Sequence, residues 1–585
     1  MESSTESSPR LIDRFMDRIE SVPGSDKLLL RVAFFAIIGT GVWLILTINQ
    51  QYTENTPTRG GSIVEGIIGT PRFINPALAS TRADQDVTAL IYNGLMKIAS
   101  DGTLVNDVAE SVNVSEDGLT YNITLNKNIE FHDGTPLTAK DVAFTIRLIQ
   151  NPDLKSPLRG NWNDVVVEEL GEYELNIVLD EAYAPFIENF TLGIMPSHAW
   201  SDLPIEQLPF SQLNTEPIGS GPFSLTSAKR DTSGLINHYT LSAFRRNDLN
   251  SKIDTLELVF FQNEEKLLSA LRSKEVDSTA YVSPSRIKEL TDDGFQLVEQ
   301  ALPRSFGIFL NQNHSVALRD KKVREALTTA INRDELIAKS LFGYGVPIAG
   351  PIAIAQPDIE SEDDIEGTVT QVSREKEQEQ AKEILRGAGW KLNEVGIWQK
   401  EIDKQPVTLS IVLRTSNSDL FVSLVDVIAE QWREIGVEVV VEQFEQTGLI
   451  QSVIRPRDFQ ALLFGLDMSR SYDLYPFWHS SQQDDPGLNI AQYANVNVDD
   501  LLETARIEQS ESVRHETLIE AGEIIAEESP AIFLFQPTLT YVVSSDVTVV
   551  EVNNPGRPSD RFSNVSEWHT ESDFLWPIFR DDAVQ

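Results

Sequence analysis

An α/β protein of two or three lobes, set behind one membrane-spanning helix, is what this sequence predicts. Three observations predict it. The chain has 585 residues, more than a single hydrophobic core organises. Strands with period-2 alternation are repeatedly followed by helices with one apolar face. And Leu28–Ile48, LLLRVAFFAIIGTGVWLILTI, is a nearly unbroken apolar run.

That run holds one charge, Arg31, near its start. Its roughly 21 residues would span about 31 Å as a helix, the thickness of a bilayer core, and Arg31 can reach the headgroups. Arg10, Arg14, Arg18, Lys27 and Arg31 precede its uninterrupted part, and the polar stretch Gln50–Arg59 follows. The basic flank places residues 1–27 in the cytoplasm and everything beyond the segment 28–49 outside, as an extracellular or periplasmic domain. The run is long for a cleaved signal peptide and no clean small-x-small site follows it, so an uncleaved signal anchor is expected.

Residues 50–59 read as a short flexible linker, and Gly60-Gly61 then opens a strand. Leu119, Tyr121, Ile123 and Leu125 alternate with polar residues, as in a half-buried strand. Asp133-Gly134-Thr135-Pro136 is a turn, and Thr138-Ala-Lys-Asp141 has the form of a capping box starting a helix. A second strand–helix pair is expected at Ser305–Asn311 and Lys321–Ile331. A third helix, Leu420–Ile435, would be capped by Gly436 and followed by a strand at Val437–Val441. The stretch Asp358–Gln380, poor in large apolar groups, is expected to be a solvated loop leading into a helix at Ala381–Arg386.

Composition narrows the function. A net charge of −41, from 48 basic and 89 acidic residues, repels phosphate backbones and argues against a nucleic-acid partner. With no cysteine, disulfides, thiolate zinc sites, cysteine nucleophiles and a lipid-modified cysteine anchor are all excluded. The seven histidines are scattered; no HExxH, GxSxG or phosphate-binding loop occurs. No enzyme activity, cofactor or metal site is expected.

The order of segments resembles the bacterial family 5 extracellular solute-binding proteins, which include oligopeptide- and dipeptide-binding components of ABC importers. The pieces that carry the resemblance are Ala109-Glu110-Ser, Asp117-Gly118-Leu-Thr-Tyr, and above all Phe131-His-Asp-Gly-Thr-Pro-Leu-Thr-Ala-Lys-Asp141-Val. Leu90–Leu95, Pro217–Phe223, Val323–Arg333, Ala381–Trp390 and Ser471–Ser480 extend it over residues 60–550. It implies a two-lobed periplasmic-binding-protein-like fold with a hinge and an inserted third subdomain. Mapped here, residues 60–92, 197–302 and 537–585 would form lobe I, 93–196 the insert and 303–536 lobe II, with crossings near Pro303 and Gln536-Pro537.

The resemblance also implies short peptides as ligands, ABC permease subunits as partners, and an aspartate holding the peptide's α-ammonium from the segment matching Gly465–Pro476. Both Asp473 and Asp467 are candidates, set against the alternative that each merely caps loop backbone. Arg470 would pair with one of them, meet an acidic ligand group or stay solvated. Trp478, with His479, is expected to pack a cleft wall. Relatives often carry Trp where Leu466 stands. The same resemblance covers binders of nickel complexes, oligosaccharides and other small molecules, so a non-peptide solute is the alternative.

Overall fold

The computed structural model describes residues 23–52, 54–245, 251–352, 368–570 and 572–575. The chain forms two units, Arg59–Thr570 and a smaller one made of Met1–Thr58 with Glu571–Gln585.

In the smaller unit the apolar run lies within a 29-residue helix, Gly24–Tyr52. Leu28, Leu29, Phe34, Phe35, Ile37 and Trp43 are each 61 to 71% exposed. Over the described residues no helix is long and apolar enough to cross a membrane. Part of the stretch read as a flexible linker is ordered otherwise. Glu54–Pro57 is a strand, paired antiparallel with Ser572–Leu575. A strand from the far end of the chain gives its backbone groups partners that no local pattern announces.

The larger unit is organised by a twelve-stranded mixed sheet. One half runs, in spatial order, through Glu438–Phe444, Ser410–Ser416, Ala461–Asp467 and Arg304–Leu310 to Ala531–Val543. From there the other half continues through Ser278–Thr279, Ser62–Ile68, Thr255–Phe261 and Ile236–Ala243 to Phe223–Arg230. The 13-residue strand Ala531–Val543 belongs to both halves. Its first residues pair with Arg304–Leu310 and its last with Gln296–Ala301, and the partner changes at Pro537 and Thr538.

Strand side chains alternate between faces, and here both faces of the first half are covered. Ile308, Leu310, Leu463, Ile532 and Leu534 pack into one buried cluster. Phe309, Leu462, Leu466, Ala531 and Phe533 pack into the other. Double-sided burial explains why Phe306–Leu310 and Ala531–Phe535 read as unbroken apolar runs rather than alternating ones. Between Ser410–Ser416 and the parallel strand Glu438–Phe444 lies the helix Asp419–Glu434. It turns out of helical geometry at Gly436, where φ is +89°; a Cβ there would sit 2.8 Å from the Gly396 carbonyl.

A separate four-stranded antiparallel sheet combines Ala109–Val114, Thr120–Leu125, Glu174–Val178 and Val166–Glu169. Tyr121, Ile123 and Leu125 face inward, as their alternation requires, and join the same hydrophobic cluster as Ile63 and Ile67. The capping box is present: Asp141 Oδ2 accepts from the Thr138 backbone N–H at 2.9 Å. Its Oδ1 accepts from Ser197 N–H at 2.8 Å, tying the helix to a distant segment.

The expected loop at Asp358–Gln380 is corrected in part. Asp358–Gly367 lies outside the described residues, but Thr368–Gly387 is one helix. Glu, Gln, Lys and Arg are good helix formers. Arg374 meets Glu335 at 2.5 Å and Glu434 at 2.6 Å, so tertiary ion pairs hold a turn that has little apolar surface of its own.

A charge network lies at the centre of the second half-sheet. Arg561 donates to Glu65 at 2.8 Å and to both oxygens of Asp86 at 2.9 and 2.8 Å. Tyr541 and Ser278 hydroxyls donate to Glu65, and Tyr281 to Asp86. Glu65 and Asp86 are fully buried and Arg561 nearly so. The two carboxylates push the guanidinium's pKa far up against a burial penalty that opposes it. Residues from three strands, a helix and the C-terminal segment are thereby pinned together.

Candidate functional site

Strand Ala461–Asp467 ends opposite the start of Arg304–Leu310, with Asp467 and Arg304 as register partners. The chain then loops to the short helix Tyr475–Trp478. Met468 N–H donates to the Pro303 carbonyl at 2.9 Å, which holds the loop against a strand junction. Inside the loop, Ser469 and Tyr472 have φ of +56° and +51°. Left-handed backbone in side chains of this kind is strained, and such strain clusters at ligand sites.

The loop meets segments remote in sequence. Arg470 donates through Nη1 to the Asn554 carbonyl at 2.9 Å and through Nη2 to that of Gly102. It also faces Glu188, together with Arg514 and the Ser471 hydroxyl; burial nonetheless raises the Glu188 carboxyl to about 7. Glu188 shares with Tyr92, Trp162 and Arg557 a cavity of about 170 Å³, smaller than the roughly 300 Å³ at which small-molecule sites begin.

Asp473 is 7% exposed. Its Oδ1 accepts from the Tyr475 backbone N–H at 3.0 Å. Its Oδ2 accepts from the Tyr183 hydroxyl at 3.0 Å and lies 3.7 Å from Arg506 Nε. The Arg506 guanidinium is stacked between two rings, 4.7 Å from the centre of Tyr183 and 4.3 Å from that of Tyr475. Burial raises the Tyr183 phenol, and the Asp473 charge raises it further; the hydroxyl is therefore a neutral donor at any physiological pH.

The other candidates fall elsewhere. Asp467 is 58% exposed and paired with Arg304 at 3.0 Å, a solvated pair of small energetic value. Trp478 is fully buried among Phe309, Tyr493 and Phe533. It sits in the core rather than on a free wall. His479 stacks on Tyr475 with ring centres 4.1 Å apart. The loop thus brings Asp473 and Arg470 together with Tyr183, Glu188 and Arg506, and leaves Asp467 and Trp478 apart. Tyr183, Glu188 and Arg506 carry no local signal, since Tyr183 and Asp473 are separated by 290 residues. Among the described residues no three His, Asp or Glu side chains are grouped as a metal site.

Comparison with known proteins identifies the relatives of the chain as a whole. Residues 103–486 match the model for bacterial extracellular solute-binding proteins, family 5. The oligopeptide-binding protein AppA of Bacillus subtilis is 28% identical over 84% of this chain and 88% of its own. Its structure with a nonapeptide superposes with a TM-score of 0.62 at 26% identity, covering 88% of this chain and all of that one. NikZ of Campylobacter jejuni, solved with Ni(L-His), shares the fold at a TM-score of 0.63 and 23% identity, covering 87% of this chain and 99% of that one.

Proposed function

The chain belongs to the bacterial extracellular solute-binding proteins of family 5, and from that premise we propose that it captures short peptides between two closing lobes and delivers them to an ABC importer. Members of this family bind solutes and catalyse nothing; this protein is a binding protein and not an enzyme. The observation that carries the peptide reading is Asp473, a buried carboxylate on a strained loop that meets Tyr183 across 290 residues of chain. A fixed carboxylate in a site shielded from water suits an α-ammonium, and AppA, similar along most of its length, is known with a peptide bound.

In this reading residues 60–92, 197–302 and 537–570 form lobe I, 93–196 the insert and 303–536 lobe II; Glu571–Gln585, expected in lobe I, goes instead with Met1–Thr58. The change of partner along Ala531–Val543 at Pro537 supports a crossing there. A ligand touching both lobes binds the closed form better than the open one, and that difference drives closure. Strand-like edges in the cleft would pair with peptide backbone whatever its side chains, and Arg470 would hold the loop in its bent form.

Short peptides are expected to raise the thermal midpoint, because a ligand confined to the native state adds about 2.7 kcal/mol at a hundredfold excess over Kd. Scanning calorimetry against a tri- to nonapeptide mixture, an oligosaccharide mixture and nickel–histidine measures this. Stabilisation by either of the last two, with none by peptides, favours the non-peptide alternative that the NikZ structure represents.

We further propose that helix Gly24–Tyr52 is an uncleaved anchor with the N-terminus in the cytoplasm. What supports this is the apolar run within that helix and the exposure of its described Leu, Phe, Ile and Trp side chains. The full chain should fractionate with membranes, and protease added outside should digest residues beyond about 60. A soluble mature form beginning near residue 50 overturns the anchor.

A further inference from the structure

We propose that Arg506 and Tyr183 form an internal latch on Asp473, which a ligand's cationic group must displace, so that these two residues set both the affinity and the resting closure of the protein. The inference rests on Asp473 as the ligand anchor. Both of its oxygens are engaged from within the protein: Oδ1 by the Tyr475 N–H, Oδ2 by the Tyr183 hydroxyl at 3.0 Å, with Arg506 Nε at 3.7 Å. The charge opposite the carboxylate is thus supplied by the protein.

Three features make this a latch rather than incidental packing. Tyr183 lies between the four-stranded sheet and the helical turn Ala184–Thr191, whereas Asp473 and Arg506 follow strand Ala461–Asp467, so the contacts join two separately built parts of the chain. The guanidinium is held by two aromatic faces, one from each part, which orients it without saturating its donors. And Arg506 Nε is buried with no hydrogen-bond partner among the described residues. A buried donor left open is costly, so the resting contact is one that rearrangement can improve. A peptide α-ammonium entering at Asp473 would take the place of the Tyr183 hydroxyl at Oδ2 and release Arg506 toward solvent or toward an acceptor on the ligand.

The chain has no cysteine, so a pair introduced by Glu168→Cys and Glu394→Cys can carry spin labels free of background. The experiment compares label distances without ligand, and peptide Kd, in the full-length protein and in its Tyr183→Phe and Arg506→Gln variants. Phe keeps the ring on Arg506 while removing the hydroxyl; Gln removes the charge. Both variants should shift the unliganded distances longer. Each should bind a free tripeptide about tenfold more tightly, the equivalent of one hydrogen bond to a charged group. Unchanged distances in both variants, with unfolding midpoints equal to wild type, overturn the latch. Weaker peptide binding by Arg506→Gln also overturns it, since Arg506 would then contact ligand directly. Longer distances in a protein that binds no peptide even as wild type overturn the peptide reading and leave the latch standing.

Discussion

Replacing Arg561 by Met is expected to destabilise the protein by on the order of 3–5 kcal/mol, the cost of leaving buried charge uncompensated. Glu65 and Asp86 are both fully buried and both accept hydrogen bonds from this guanidinium, while Arg82 acts on them only through space. Hydroxyl groups from Tyr541, Ser278 and Tyr281 remain to them, but hydroxyl dipoles do not cancel two negative charges in a low-dielectric interior. Urea unfolding of the full-length chain measures the loss. Arg272→Ala is the contrast. Its partners Glu289 and Asp293 are about half exposed, and the change should stay below about 1 kcal/mol. Equal effects of the two substitutions would refute the account of the buried network.

Asp473→Asn should weaken peptide binding by roughly two to three orders of magnitude, corresponding to about 3–4 kcal/mol for a broken buried charge pair. The substitution is local by design. The amide oxygen can still accept the Tyr475 N–H now held at 3.0 Å by Oδ1, so the turn into the helix Tyr475–Trp478 is retained. What is lost is the charge at Oδ2. N-acetylated peptides should bind poorly to wild type, and the variant should barely distinguish acetylated from free peptides. Isothermal titration reads both. Asp467→Asn, at an exposed carboxylate already paired with Arg304, should change binding little. Normal binding of free peptides by Asp473→Asn would place the anchor elsewhere.

These two substitutions divide what was legible in the sequence from what was not. The sequence by itself determined the elements whose cause is local. Period-2 alternation placed the strand at Thr120–Leu125, and a hydroxyl three residues before a carboxylate placed the helix start at Thr138. A one-sided apolar stripe placed Asp419–Glu434, and the ordered run of motifs pointed to the family. Asp473 and Arg470 could be singled out because the family resemblance pointed to the short segment that carries them. Only the tertiary structure decided which groups those residues meet. Tyr183 and Arg506 around Asp473, Arg561 between Glu65 and Asp86, and Ser572–Leu575 beside Glu54–Pro57 are pairings across tens to hundreds of residues. Thr368–Gln380 became helix because Glu335 and Glu434 stand opposite Arg374. Periodicity and capping act within a few residues, where chain connectivity fixes who is near whom; a buried charge takes its partner from the fold, and that partner leaves no mark beside it in the chain.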